Sequence, residues 1–367
     1  MNYANILKEI GRGAHGARDL STADAEQLYA AMLDGGVPEL ELGAILLALR
    51  VKTESVPELI GFYNAMCARL YRLEAPAGKP RPLVIPSYNG TRKQPNLMPL
   101  VALLLERFGV PVLMHGTLDG GGRSASAYVL RELGVMPCAT LGQAQQALDA
   151  GHFAFVPTAV LSPGLADLLA LKSRLGLRNS AHTIAKLIDP FGGAGIRLAA
   201  ITHPDYLLRL REFFLATGES ALLMRGTEGE AFANPRKRPR IEMFDAGEST
   251  VLFEEEHMTA VAGTGGTSIF RRMHWEKLRS TPTYRSKEVT ARGQAPTRVH
   301  THMGSISTQF SIRTAWAFRC RPSLERFALP ASTISAAGAE MKWAERADIS
   351  KFMATTTIRT LQVGMLN

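Results

Sequence analysis

The sequence predicts an α/β protein that begins with an all-α helical bundle domain. The first 75 residues repeat apolar side chains at helical spacing, between residues that commonly cap and end helices. From Leu83 onward, short apolar runs alternate with helical segments. Such alternation is typical of a mostly parallel central sheet flanked by helices. The segment 74–82 is rich in Pro and Gly and separates the two patterns.

Four helices are predicted in the amino-terminal region. Residues 2–11 form a short amphipathic helix, and Ser21 caps a second helix that ends at Leu33. The third helix begins at Pro38, and the fourth runs over residues 57–70. Apolar residues cover much of the third helix, which indicates burial in a bundle or at a subunit contact.

Strands and helices alternate between residues 83 and 224. The predicted strands are 83–85, 110–113, 153–156, 197–202 and 220–224, with a strand or turn at 135–138. The predicted helices are 97–108, 124–133, 142–149 and 204–217. Residues 162–188 return to helical spacing, and we expect them to pack against the bundle. The chain thus divides into a helical domain (1–75, joined by 162–188), an α/β domain (83–255) and a tail (256–367).

The tail differs from the rest of the chain in composition. After Glu256 the chain has 16 Lys and Arg against 6 Asp and Glu, with 25 Ser and Thr but only 5 Leu. A segment with so little apolar surface offsets chain entropy poorly, so we predict that it is largely irregular or disordered. The net charge of +9 belongs to this tail. Nucleic-acid binding by the main body would have to depend on local basic patches.

The cysteines and apolar runs indicate a cytoplasmic protein. Cys67, Cys138 and Cys320 form no Cys-x-x-Cys pair, which argues against a disulfide framework or a zinc site. No apolar run reaches the roughly 18 residues that a membrane-spanning helix needs. The first residues lack the basic and then apolar pattern of a secretory signal.

The loop after the first strand is a candidate anion site. The segment 83–96 predicts a strand followed by a loop rich in Gly and Asn, and a helix and second strand follow it. Such a unit places its loop at the carboxyl end of the sheet, where phosphates commonly bind. Arg92 and Lys93 supply positive charge there.

Several segments resemble the anthranilate phosphoribosyltransferases. In the helical region they are RDLSTADAE (18–26), LGAILLALRVK (42–52) and GFYNAM (61–66), and in the α/β region GVPVLMHG (109–116) and RLGLR (174–178). More specific are IPSYNG (85–90), RNSAHT (178–183), RGTEGE (225–230) and ANP (233–235), which resemble the YbiB-type branch of that family. The resemblance covers residues 1 to about 255. It implies a phosphoribosyltransferase-like fold, a homodimer, nucleic-acid binding and a link to the DNA-damage (SOS) response.

The loop that binds pyrophosphate in the active enzymes is altered here. The resemblance implies a Gly-Thr-Gly-Gly-Asp loop for phosphoribosyl pyrophosphate, which falls on residues 86–90. Pro86 has no N–H to donate, and Tyr88 fills space where the enzymes have glycine. Gly90 stands in place of the acid.

Other positions of the enzyme site differ as well. The hydroxyl pair after Asn96 becomes Met98 and Pro99, the lysine before His115 becomes Met114, and the arginine for anthranilate falls on Ser173. The pair of acids that binds magnesium is reduced to two weak metal candidates, Glu228 and Glu230. The residues that remain of the phosphoribosyl pyrophosphate site are Asn89, Gly90, Thr91, Asn96, His115 and Gly116.

Basic residues surround this degenerate site. We predict that they bind the phosphate backbone of DNA or RNA, largely without sequence preference. They are Lys79, Arg81, Arg92, Lys93, Arg123, Lys172, Arg174, Arg178, Arg236, Lys237, Arg238 and Arg240. The run 236–240 is the strongest candidate, because it places four cations in five residues. Each lone basic residue can equally be a solvated surface charge.

Two other functions stay open at this point. One is a phosphoribosyltransferase with an unknown acceptor, in which Mg²⁺ would be required and Asn89, Asn96 and His115 would line the site. The other is a protein–protein module whose helical domain forms a homodimer. We assign no catalytic residue, no cofactor for the binding function and no membrane partner.

Overall fold

The computed structural model describes residues 1–13, 15–234 and 237–257. The predicted tail, from residue 258 on, lies outside the described residues. Within them the predicted architecture is confirmed: a helical bundle precedes an α/β domain with a mostly parallel sheet. The residues 1–131 and 136–258 belong to one compact unit. No helix among the described residues is long and apolar enough to cross a membrane.

Four helices form the amino-terminal bundle: α1 (Tyr3–Ile10), α2 (Thr22–Leu33), α3 (Glu39–Lys52) and α4 (Val56–Cys67). The hydroxyl of Ser21 accepts a hydrogen bond from the backbone of Asp24, as its predicted capping role requires. Helices α2 and α4 pack closely because a side chain at Gly61 would collide with the backbone of Thr22. The rings of Tyr29 and Phe62 stack across this contact with centroids 4.5 Å apart.

Glu58 joins the beginning of α4 to its surroundings. Its carboxylate is fully buried and accepts hydrogen bonds from the backbone of Leu20 and Ser55. The ammonium of Lys52 lies 2.7 Å from the same carboxylate. A buried carboxylate needs several donors to offset its loss of water, and this one has them.

The central sheet has seven strands: β1 (Leu83–Pro86), β2 (Val112–Gly116), β3 (Ala154–Pro157), β4 (Ile196–Ile201), β5 (Ala221–Arg225), β7 (Ile241–Asp245) and β8 (Glu248–Phe253). Their order is β3-β2-β1-β4-β5-β7-β8. The first five are parallel and correspond to the predicted strands, whereas β7 and β8 are antiparallel. The segment 135–138, predicted as a strand or turn, belongs to no strand.

The carboxyl-terminal hairpins were not predicted. Strands β7 and β8 are joined by Ala246 and Gly247, which both have positive φ. Two-residue loops of this kind match the twist of a hairpin. Two further short strands, β6 (Lys237–Arg238) and β9 (Glu256–His257), pair as a separate two-stranded sheet.

Short helices connect the strands. They are α5 (Met98–Arg107), α6 (Ser126–Glu132), α7 (Leu141–Asp149), α8 (Thr158–Leu161), α9 (Pro163–Ala170), α10 (Lys172–Leu175), α11 (Ala181–Ile184), a 3₁₀ turn (Ala185–Leu187) and α12 (Pro204–Thr217). The segment 162–188 is therefore a series of short helices. It reaches the bundle as expected, because α9 packs against α2 and α11 against α4.

Arg197 in β4 links the sheet to the bundle. Its side chain is 2% exposed, and its guanidinium donates to the hydroxyl of Tyr63 in α4 and to the carbonyl of Leu187. The carboxylate of Glu219 lies 2.7 Å from the same guanidinium. Helical and sheet residues share one hydrophobic core around this contact.

Candidate functional site

The loop predicted as an anion site follows β1 at the carboxyl end of the parallel strands. It lies beside the end of β2 at such short range that a side chain at Gly116 would collide with the backbone of Ser87. The loop after β5, residues 226–230, lies against its other side through Gly229, whose carbonyl accepts a hydrogen bond from the Asn89 amide. Two carboxylates from that second loop enter the first.

The carboxylate of Glu230 occupies the first set of donors in the loop. It is fully buried and accepts the backbone N–H groups of Asn89 at 2.9 Å and Gly90 at 2.6 Å. Its second oxygen accepts the hydroxyl of Ser87 at 2.7 Å. Burial raises the pKa of the Glu230 carboxyl above its ordinary value, even though these donors and the charge of Lys186 act in the opposite direction.

The carboxylate of Glu228 occupies the next set of donors. It accepts the successive backbone N–H groups of Arg92, Lys93 and Gln94, at 2.7, 2.8 and 2.8 Å. The guanidinium of Arg123 lies 3.2 Å from the same carboxylate. Burial raises the pKa of the Glu228 carboxyl, but these donors together bring the pKa below its ordinary value.

These contacts bear on the pyrophosphate and magnesium that the resemblance implies. Each oxygen of Glu228 and Glu230 already accepts at least one hydrogen bond from the protein. Among the described residues, no group of three His, Cys, Asp or Glu side chains is arranged to hold a metal ion. The donors that a pyrophosphate would need are filled by carboxylates, and Pro86 supplies none. The residues present therefore do not fit a complex of pyrophosphate and Mg²⁺.

Asn96 and His115 hold the loop and its neighbours together. The Asn96 amide donates to the carbonyl of Ser124 at 2.8 Å, and its oxygen accepts the backbone N–H of Met98. His115 is fully buried with Nδ1 3.4 Å from the Thr158 hydroxyl, and its Nε2 has no hydrogen-bond partner among the described residues. Burial, with the charge of Lys186, lowers the pKa of His115 to about 3.

Sequence reasoning missed Lys186. It is buried behind the loop, with its ammonium over the ring of Tyr88 at 5.2 Å and 3.4 Å from the carbonyl of Gly229. Burial lowers the pKa of Lys186 to about 8, although the Glu230 carboxylate opposes this shift. A lysine inside the apolar run Ile184–Ile188 is the signal that could have identified it.

Four of the predicted basic residues converge on this site. Burial lowers the pKa of Lys172, and the positive charges of Arg178, Arg123 and Arg92 lower it further. Charges interact this way only at short range, so the four cations form one cluster. Within the described residues, the side chains of Arg92, Lys172 and Arg178 form no ion pair with a carboxylate. We call Arg92, Arg123, Lys172 and Arg178 the cleft cluster.

Other predicted basic residues are engaged elsewhere or lie apart. The guanidinium of Arg81 donates to Ser220 at 2.6 Å, to three backbone carbonyls and to Asp245, so it fastens a loop. Arg174 pairs with the exposed Glu39. Lys79 and Lys93 are exposed, and Lys93 uses its backbone N–H for Glu228.

The basic run 236–240 is paired with acidic residues. Arg236 lies outside the described residues. The remaining cations face three glutamates across the small hairpin: Lys237 with Glu255 at 2.6 Å, Arg238 with Glu256 at 2.9 Å and Arg240 with Glu254 at 3.4 Å. Surface pairs of this kind are weak, but they remove most of the net charge of the run. Its role in nucleic-acid binding stays a prediction.

Comparisons with known proteins agree with the resemblance. The helical bundle domain of the glycosyl transferase family matches residues 4–69. The uncharacterized protein YbiB of Escherichia coli strain K12 is 48% identical over 257 residues, which are 70% of this chain and 80% of YbiB. The anthranilate phosphoribosyltransferase of Methylocella silvestris is 28% identical over 221 residues. These are 60% of this chain and 62% of that enzyme, so the match spans less than two thirds of its length.

Solved structures show the same fold. The crystal structure of anthranilate phosphoribosyltransferase from Thermus thermophilus aligns with a TM-score of 0.55 at 22% identity, covering 67% of this chain and 72% of the other. The Saccharomyces cerevisiae enzyme in complex with PRPP and Mg aligns with a TM-score of 0.53 at 13% identity, covering 68% of this chain and 72% of that one. On the strength of the sequence relationship to YbiB, the chain belongs to the anthranilate phosphoribosyltransferase-like glycosyl transferase family.

Proposed function

We propose that the protein binds DNA or RNA through the phosphate backbone, largely without sequence preference. The observation that supports this most is the cleft cluster. Three of its four cations have no carboxylate partner within the described residues, and it adjoins a loop whose anion donors are filled by Glu228 and Glu230. Positive charge without an internal partner attracts an external anion.

The unpaired cations suit phosphates that are spaced along a strand. Arg92 is exposed, whereas Lys172 and Arg178 are half-buried, so each presents a cationic head at the surface or near it. Cations that neutralise phosphates release counterions, and binding then weakens as salt rises. Contacts of this kind fix position on a strand without reading its bases.

We also propose that the protein forms a homodimer through α3. Leu40, Leu47 and Val51 lie on one side of this helix and are 83%, 48% and 62% exposed. The opposite side, with Ile45 and Leu46, is buried in the bundle. An apolar stripe at helical spacing that the chain itself leaves exposed is suited to a second copy. A dimer would double the number of cationic clusters available to one strand.

The enzyme alternative is a phosphoribosyltransferase with an unknown acceptor. The relatives that are anthranilate phosphoribosyltransferases favour it. The filled loop argues against it, because phosphoribosyl pyrophosphate would have to displace two hydrogen-bonded carboxylates.

The test is binding of a fluorescent single-stranded oligonucleotide to the full chain, followed by anisotropy at several salt concentrations. The variant replaces Arg92, Lys172 and Arg178 by Gln. We expect it to bind at least about tenfold more weakly at low salt, and the slope of log K against log salt to fall by about 2, since each phosphate contact contributes about 0.7.

The control removes the same charge elsewhere. It replaces Lys8, Arg12 and Arg18, which are exposed in and after α1, by Gln. The basic tail is unchanged in both variants, so it does not affect the comparison. Equal affinity and equal salt slope for the two variants would show that the cleft cluster does not bind the strand.

A further inference from the structure

The loop around Glu228 has the form of an occupied anion site. Three successive backbone N–H groups, from Arg92 to Gln94, point at one carboxylate, and the Arg123 guanidinium approaches it from another segment of the chain. Successive N–H groups that converge on one point form a concave binding site for anions, which is called a nest. The nest is defined here as the N–H groups of residues 92–94 together with Arg123.

Two observations indicate that the nest holds an anion that is not matched to all of its donors. The Arg123 side chain is 13% exposed, and its Nε is buried without a hydrogen-bond partner among the described residues. A guanidinium offers five N–H donors, and a phosphate with three or four oxygens satisfies more of them than a carboxylate does. Glu228 itself has φ of +54°, a conformation that side chains other than glycine adopt at a cost.

We propose that this nest is a phosphate-binding site and that Glu228 closes it in the free protein by standing in for the phosphate. A phosphate that enters displaces the carboxylate and takes over its three N–H donors and Arg123. The neighbouring cations of the cleft cluster attract the phosphate and stabilise the exchange, because the displaced Glu228 leaves the site with more positive charge. The phosphate is either free or part of a nucleic-acid strand.

For the strand as ligand the inference depends on the proposed function, but its primary test does not. Removal of the Glu228 side chain should leave the nest open. We expect Glu228→Ala to bind inorganic phosphate at least about tenfold more tightly than the unaltered protein in calorimetry, because the internal competitor is gone. Adding Arg123→Gln to Glu228→Ala should abolish that gain.

Thermal unfolding supplies a second readout. Phosphate that binds only the folded state raises the unfolding temperature. We therefore expect phosphate to stabilise Glu228→Ala much more than the unaltered protein. Should the alanine variant fail to fold, Glu228→Gly takes its place, since glycine adopts the positive φ at this position without strain.

The matched control is Glu39→Ala, which also removes one acidic residue that pairs with an arginine, Arg174. A gain in phosphate affinity for the Glu39 variant equal to that of the Glu228 variant would overturn the inference, as would no gain for Glu228→Ala or Glu228→Gly. An oligonucleotide arm distinguishes the sources of phosphate. Tighter strand binding by Glu228→Ala assigns the nest to the strand, whereas tighter binding of inorganic phosphate alone assigns it to free phosphate.

Discussion

The carboxylate of Glu230 and the backbone N–H of Gly90 lie 2.6 Å apart, although 140 residues separate them in the chain. The same carboxylate holds Asn89 and Ser87. In this family the corresponding loop resembles one that binds pyrophosphate, and here an internal anion fills it. The loop is therefore both a structural joint and an indication that the site has changed its use.

The Glu230 joint should contribute to stability. We expect Glu230→Ala to lower the free energy of unfolding by about 3 kcal/mol, because it leaves buried N–H donors unpaired. Glu230→Gln should lower it less, since its amide oxygen can still accept both N–H groups while its NH₂ faces the Ser87 hydroxyl. Urea unfolding of the two variants measures the difference. Equal stability of Glu230→Ala and the unaltered protein would contradict this role.

Arg197 should be a second site of large effect. We expect Arg197→Met to destabilise the protein by about 3 kcal/mol or more, because the Tyr63 hydroxyl, the Leu187 carbonyl and the Glu219 carboxylate lose their donor. Arg174→Met removes an exposed guanidinium and should change stability by no more than about 0.5 kcal/mol. Similar unfolding midpoints for both variants would refute the assignment of Arg197 as the link between bundle and sheet.

His182 should make stability depend on pH. Burial lowers its pKa to about 3, and the charges of Arg178 and Lys172 act in the same direction. The unfolded-state pKa is about 6.5, so below that pH the unfolded chain takes up a proton that the folded chain does not. Stability should therefore fall as the pH decreases from about 6.5 toward 3.

Replacement of His182 tests this pH dependence. In His182→Gln the loss of stability between pH 6 and pH 5 should be smaller by up to about 1.4 kcal/mol. His203→Gln, at an exposed histidine before α12, serves as the control. Urea midpoints at pH 7, 6 and 5 provide the measurement. An unchanged pH dependence in His182→Gln would show that this imidazole is protonated alike in both states.

The exposed side of α3 should determine the oligomeric state. We expect Leu47→Glu to shift the protein from dimer to monomer in sizing chromatography with light scattering, because it places a charge in the proposed apolar contact. Leu208→Glu changes an exposed leucine of α12 and should leave the dimer intact. A dimer that survives Leu47→Glu would place the interface elsewhere, and a monomeric unaltered protein would exclude it.

Local signals in the sequence were sufficient for the parallel sheet. Strands such as β1 and β4 are apolar runs bounded by Pro, Gly or polar residues, and their residues are buried on both faces. The loss of the pyrophosphate loop was also evident, because Pro86 cannot donate whatever its surroundings. The hairpin of β7 and β8 has a turn signal in Ala246-Gly247, which sequence reasoning passed over.

The contents of the site depended on distant contacts. Glu228 and Glu230 were interpreted as weak metal candidates, because nothing local shows that they reach donors about 140 residues away. The run Arg236–Arg240 was the strongest predicted phosphate contact, yet its described cations face Glu254–Glu256 once the hairpin forms. The cleft cluster likewise needs α10 to approach the loop after β1, which the sequence pattern does not specify.

Calorimetry on the full-length protein tests the central claim most directly. One titration adds a single-stranded oligonucleotide, and the other adds phosphoribosyl pyrophosphate with Mg²⁺. A site that has exchanged its pyrophosphate donors for internal carboxylates, while keeping unpaired cations beside them, predicts salt-dependent heat with the strand and no micromolar binding of phosphoribosyl pyrophosphate. Metal-dependent micromolar binding of phosphoribosyl pyrophosphate, with no heat from the strand, would contradict the account.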